Sequence, residues 1–370
     1  MSLRRNAISL CPTGEDPPCL PRLPLHPPLI LRCAKIGWIG GKNSILEPDL
    51  AIVDAHHHLW DRPGWRYLLD DLLADTNTGH NVIATVFVQA RAMVRAAGPR
   101  RDAPPWAKRN SSIGVAAMSA SGSYGKTRAC AGIVGHADLT LGSHVEPVLL
   151  AHIRAGGDRF RGIRHITAWD RDASMANPAY NPPPGLLGDK RFRQGFAALD
   201  RLGLSFDAWL YHPQIGELAE LARAFPETRI VLNHVGGPIG IGAYAGKHTE
   251  VFSGWLAAIK ALAACGNVYV KLGGLGMRMG GFGFHERHEP PSSEMLARRV
   301  APLCRRLYRG LWRFRVACLR VTFRSTRFLQ LPGVLERLQA FSAGLVTPKE
   351  PSSSRGLPRG SIASTSPEAR

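Results

Sequence analysis

From about residue 46 to residue 296, short apolar runs alternate with longer stretches whose apolar positions recur every three to four residues. The runs 51–54, 82–88, 131–135, 162–165, 204–210, 229–232 and 268–271 are near-continuously apolar, as parallel strands buried on both faces are. Between several of them, 147–154, 192–202, 214–225 and 252–264 are amphipathic at helical spacing. Seven strand–helix units in succession predict a (β/α)8 TIM barrel rather than an open sheet.

Length agrees with that architecture. A chain of 370 residues exceeds one average domain, yet α/β barrels of about 250 residues form a single domain with appended ends. Seven prolines fall within the first 28 positions and would break any amphipathic targeting helix. Residues 1–45 are therefore expected to be a disordered Pro-rich arm, or translation from a start codon placed too far upstream. No uninterrupted apolar stretch approaches the roughly 20 residues that span a bilayer, so a soluble protein with no membrane partner is expected. Cys11, Cys19, Cys33, Cys130, Cys265, Cys304 and Cys318 are scattered and never arranged as C-x-x-C. That pattern argues against a disulfide framework or a thiolate metal site and fits a reducing cytoplasm.

The first strand ends in His56, His57 and His58, beside Asp54. Alternate residues of a strand share a face, so His56 and His58 are expected to project together while His57 points away. Two neutral imidazoles on a rigid element suit a divalent metal with an open position for water. An isolated His-x-His more often just closes a strand, and a lone histidine is as often a hydrogen-bonded structural residue as a ligand. Here His165, His212 and His234 also follow apolar runs, and the carboxyl ends of barrel strands converge on one face. The set therefore predicts a catalytic mouth.

Four segments carry a resemblance to a known family: Val53-Asp54-Ala55-His56-His57-His58-Leu59-Trp60, Phe160-Arg161-Gly162-Ile163-Arg164-His165, Val231-Leu232-Asn233-His234-Val235-Gly236-Gly237-Pro238 and Val270-Lys271-Leu272-Gly273-Gly274. Together they resemble the amidohydrolase-related (amidohydrolase 2) metal-dependent hydrolases of the TIM-barrel type, the branch that includes sugar-lactone and pyrone-dicarboxylate lactonases. The resemblance implies attack of water on a lactone or other cyclic ester or amide of a small carboxylated or sugar-derived substrate. It implies His56, His58, His212 and His234 facing a divalent metal, zinc above all, or the substrate where no metal is tightly held. His212, His234 and His165 would be the catalytic histidines. Arg91, Arg164 and Lys271 would bind the substrate's anion, because a guanidinium fork matches a carboxylate.

The chain departs from the family pattern at Gln89, where relatives carry Glu, and at Asn233, where Asp often precedes the histidine. A larger departure follows. An eighth strand bearing an acidic residue is expected, yet between Glu294 and Glu336 there is no Asp or Glu, while ten arginines occur from Arg298 to Arg327. Residues 297–370 are an atypical basic tail, which supplies much of the net charge of +19. A basic segment interleaved with aromatic residues could bind nucleic acid or an anionic surface. Back-translation favours a slipped reading frame instead: codons for 317–328 can be chosen so that another frame reads Met-Phe-Glu-Ser-Asn-Phe-Pro-Val-Asp-Lys-Val, which looks like the family's eighth strand. The expectation is a barrel lacking a proper eighth strand, with a largely disordered tail, a small-molecule substrate, no nucleic-acid partner and impaired activity. A non-catalytic barrel remnant is the remaining alternative, and oligomeric state is not legible.

Two weaker motifs complete the reading. The small-residue segment Met118–Gly125 could form a loop over the mouth, and it lacks the spacing of a phosphate loop. His285-Glu286-Arg287-His288 has His-x-x-His spacing rather than the zinc-protease pattern and reads as a surface loop.

Overall fold

The computed structural model describes residues 48–62, 65–90, 109–176 and 180–287, with 291, 295, 298, 299 and the strand 315–319. In chain order the elements are β1 (Ile52–His57), the hairpin strands β2 (Trp60–Arg62) and β3 (Trp65–Tyr67), α1 (Leu69–Thr76), β4 (Val82–Val88), α2 (Arg109–Ala120), β5 (Arg128–Gly135), α3 (Glu146–Gly156), β6 (Phe160–Ile166), α4 (Lys190–Arg201), β7 (Ser205–Trp209), α5 (Ile215–Ala224), β8 (Ile230–Leu232), α6 (His248–Leu262), β9 (Val268–Leu272) and β10 (Arg315–Leu319). The large sheet runs β1-β4-β5-β6-β7-β8-β9-β10. Every neighbouring pair in it is parallel.

Seven strands in unbroken sequence order, with helices in the crossovers, make the TIM-barrel sheet. The eighth position holds only five residues, Arg315-Val316-Ala317-Cys318-Leu319, whose pairing with β9 slips between Val316 and Cys318. Among the described residues no ladder joins β10 to β1, so the barrel is nearly closed but lacks a proper eighth strand. The expected disordered arm 1–45 and most of the tail 297–370 lie outside the described residues.

The core sits between strands and helices. Asp189 caps α4, its Oδ1 accepting from the Phe192 amide at 2.8 Å. The helix then turns Phe192 and Phe196 onto Phe206 of β7, at ring-centroid distances of 6.0 and 5.1 Å. All three rings are fully buried, and each stabilises the packed state by about 1.5–3 kcal/mol. Gly195 lets α4 approach the Leu139 carbonyl, where any Cβ would collide with backbone.

One local expectation changes. Met118 is in α2, and only the turn after Ala120 is irregular. Ser119 Oγ donates to the Thr127 carbonyl at 2.7 Å and accepts from the Ala129 amide at 2.9 Å, which ties the helix end to the start of β5. The segment therefore lies at the amino ends of the strands, away from the mouth. Helix α2 escaped detection because Ser111, Ser112, Gly114 and paired alanines give it a weak apolar stripe. No helix among the described residues is long and apolar enough to cross a membrane.

Candidate active site

At the carboxyl end of β1 the side chains separate by face. His56 and His58 meet, their Nε2 atoms 3.2 Å apart. His57 faces the opposite way, 3.7 Å from Cys130 Sγ and edge-on to Phe87. Asp54 Oδ1 accepts from the His56 amide at 3.1 Å, fixing the backbone between them. His58 Nδ1 lies 2.6 Å from the Val88 carbonyl. A carbonyl only accepts, so this nitrogen carries the proton, and the Nε2 lone pair of neutral His58 is directed at His56.

Arg164 reaches the same point from β6. Its Nη1 is 3.4 Å from His56 Nε2, and its Nη2 donates to the backbone carbonyl of Gln89. The guanidinium is buried, and its orientation is set at two points.

His234 joins from β8 through an unusual turn. His234, Val235, Gly236 and Gly237 all have positive φ, of 51°, 50°, 75° and 53°. A left-handed conformation costs about 1–2 kcal/mol for each non-glycine residue, and most for a β-branched one such as Val235. Hydrogen bonds hold it: Trp255 Nε1 donates to the Val235 carbonyl at 2.8 Å, and the Gly237 amide to the His234 carbonyl at 2.9 Å. Gly274 lies beneath the His234 ring, where a Cβ would collide with it. The result sets the His234 ring 4.8 Å from His56 and 4.8 Å, edge-on, from Trp209. Strain of this kind concentrates where a side chain must be aimed.

Deeper in the barrel, Lys271 Nζ lies 2.5 Å from Asp207 Oδ2. Asn233 Nδ2 donates to the same oxygen at 3.0 Å. Asp207 is in register with Arg164 on the adjacent strand, so this network continues from the histidine cluster toward the interior. Asp207 was not singled out from the sequence. An acid inside the apolar run Phe206-Asp207-Ala208 was the available signal, since a buried carboxylate requires a cationic or amide partner.

The other expected residues lie apart. His165 alternates with Arg164 along β6 and faces the helices. Its Nδ1 accepts from the Leu139 amide at 3.3 Å, its Nε2 is 2.9 Å from Tyr180 Oη, and its ring packs on Phe192. Its contacts are therefore with Leu139, Tyr180 and Phe192 rather than with His56, His58 or His234. His212 Nδ1 accepts from the Ile239 amide at 3.3 Å, and its ring meets Tyr244 edge-on, within a small apolar cluster separate from the main core. Burial pushes its pKa down from 6.5 to about 4, partly opposed by the Asp170 carboxylate, so the ring stays neutral. Arg91 and His288 lie outside the described residues. His285 sits 3.4 Å from the exposed Glu286.

A metal fits this donor set only in part. Zinc–nitrogen bonds of about 2.0–2.1 Å place two tetrahedral donors roughly 3.3–3.4 Å apart, close to the His56–His58 spacing. Yet among the described residues no three His, Cys, Asp or Glu side chains are placed to hold one ion together. Arg164 adds a fixed positive charge 3.4 Å from His56, and Gln89 and Asn233 are amides where carboxylates would offset a dication. Of the expected set His56, His58, His212 and His234, ring contacts join His56 to His58 and to His234, while the contacts of His212 are with Tyr244 and the Ile239 amide. The donors brought together among the described residues do not by themselves complete a site for a tightly held divalent ion.

Comparison with known proteins agrees with the architecture. An uncharacterized protein of Sinorhizobium fredii, y4mH, is 32% identical over 251 residues, covering 62% of this chain and 74% of its own length. An amidohydrolase from Burkholderia multivorans, crystallised with HEPES, superposes with a TM-score of 0.57 at 18% identity, covering 80% of this chain and 93% of that one. A second crystal form of that protein, with bound zinc, gives 0.56 at 20% identity and the same coverage. The amidohydrolase family matches residues 53–308, more than half of the sequence, and the chain belongs to that family.

Proposed function

We propose that this chain is a hydrolase in which water attacks the carbonyl of a lactone, or another cyclic ester or amide, of a small carboxylated or sugar-derived substrate. The convergence of His56, His58, His234 and Arg164 from β1, β8 and β6 carries the reading. His58 is the base: with Nδ1–H held by the Val88 carbonyl, its Nε2 lone pair takes a proton from water. Water oxygen bonds to the carbonyl carbon, the ring C–O or C–N bond breaks, and the leaving oxygen or nitrogen takes the proton back from His58 Nε2, giving a hydroxy or amino acid. Arg164, buried and anchored, offers its guanidinium to the developing oxyanion or to a substrate carboxylate. Lys271 supports the interior through Asp207 rather than meeting the substrate. No step is routed through zinc, because among the described residues the donors brought together do not complete a site for it. The partner is a small molecule, with neither nucleic acid nor membrane, and the scattered cysteines favour the cytoplasm.

The absence of an acid between Glu294 and Glu336 supports impaired activity in this chain relative to an ancestor with an acidic eighth strand. The test is a pH-stat assay of a lactone panel, metal-free and with zinc, on this chain and on a version carrying the alternative frame from residue 317. The reading expects turnover by the latter and at least tenfold slower turnover here. Failure of both proteins on every lactone would discard it.

A further inference from the structure

A cavity of about 680 Å³ opens beside His234, within the size range of small-molecule sites. Its walls are Phe252 of α6 and Leu275, Met277, Met279 and Phe282 of the loop after β9. These side chains are only half-buried, so the cavity leaves apolar surface in water next to the His234 imidazole. The loop is built to hold that wall. Gly274, Gly281 and Gly283 take positive φ of 72°, 71° and 64°, and the Gly240 amide donates to the Met279 carbonyl at 2.7 Å. Gly281 packs on Gly240 so closely that a Cβ on either would meet backbone. Arg298 and Arg299 stand at the rim, exposed. His248, Thr249 and Ser253 line the same cavity beside His234, while the methionine and phenylalanine side chains of this wall adapt to a ring or a branched alkyl group.

We propose that this cavity receives an apolar substituent, aromatic or branched alkyl, carried by an acidic substrate whose scissile carbonyl lies at His234; the proposal rests on the hydrolase reading and narrows its substrate class to molecules that carry such a substituent. The test is binding in the full chain labelled with [methyl-13C]methionine, using 4-phenylbutyrate and butyrate as probes. Met277 and Met279 signals are assigned with Met277→Leu and Met279→Leu. The expected result is saturable ring-current shifts of both methyls, at least tenfold tighter binding of phenylbutyrate than of butyrate, and an unmoved Met118 signal. No shift at either methyl, or equal affinity for the two probes, would overturn it. Shifts are read in the unsubstituted chain, so a misfolded leucine variant loses one assignment and nothing more. Saturating shifts without any lactone turnover would discard the hydrolase reading and keep the apolar site; turnover without shifts would do the reverse.

Discussion

Lys271 and Asp207 form an ion pair at 2.5 Å inside the barrel, with side chains only 5% and 2% exposed. Asn233 shares the carboxylate from the neighbouring strand. Removing one charge strands the other in a medium where an unpaired ion costs several kcal/mol. Asp207→Ala is expected to destabilise the fold by about 3–5 kcal/mol in urea unfolding. The double variant Asp207→Leu with Lys271→Met should recover most of that loss. A double variant as unstable as Asp207→Ala would show that the pair is not coupled in this way.

The histidine–arginine cluster makes a kinetic prediction. His58→Ala is expected to lower kcat about 10²–10⁴-fold on any lactone that is turned over, the usual contribution of a positioned base. Arg164→Lys keeps the charge but cannot reach both His56 and the Gln89 carbonyl, since an ammonium has no planar fork. It should raise KM at least tenfold in initial-rate measurements. A wild-type rate in His58→Ala would remove His58 from the chemistry.

Much of this architecture was legible beforehand. Each of the seven strands contains a short, largely apolar run between helical stretches, so the seven-strand order could be read directly. The separation of His57 from His56 and His58 follows from strand periodicity alone. The same rule, applied to Arg164 and His165, would have sent His165 outward; the run of histidines at strand ends obscured it. Asp207 escaped notice because its partners, Lys271 and Asn233, lie 64 and 26 positions away and meet it only through the fold. The left-handed turn at His234 and Val235 was invisible for a different reason: a β-branched valine disfavours positive φ, and the Trp255 hydrogen bond to the Val235 carbonyl comes from 20 positions away.

Stability should carry the signature of His212. Its folded pKa of about 4 lies below the ordinary 6.5, so the native state favours the neutral ring. The unfolded chain then binds the proton more readily, and this contribution is fully present above pH 6.5 and lost as pH falls toward 4. Thermal unfolding between pH 7 and pH 4 should show a falling Tm whose slope is reduced in His212→Asn. An unchanged slope in that variant would assign the acid sensitivity to other groups.

The aim of His234 depends on the space above Gly274. An added methyl collides with the imidazole ring, and the φ of 72° at that position is unfavourable for any L side chain. Gly274→Ala is expected to cost about 1–3 kcal/mol, read from the urea midpoint, and to reduce turnover more than Gly254→Ala, whose Cβ would meet nothing within 4 Å. Equal behaviour of the two variants would mean that the ring moves aside without consequence.

The eighth strand makes the last prediction. Arg315–Leu319 pairs with β9 through a slipped register, and no acid follows until Glu336. An incompletely closed sheet leaves strand edges that a full eighth strand would pair. Replacing residues 317–327 with Met-Phe-Glu-Ser-Asn-Phe-Pro-Val-Asp-Lys-Val would exchange three arginines for two acids and one lysine, restoring a carboxylate at the carboxyl end of the sheet. If this peptide is the family's own strand in its proper frame, the replacement should raise Tm by several degrees, at about 2–4 °C per kcal/mol for a chain of this size. Sequencing the gene from the codon for Ser292 in all three frames supplies an independent check. An unshifted Tm with the frame confirmed as written would make the arginine-rich segment a genuine part of this protein.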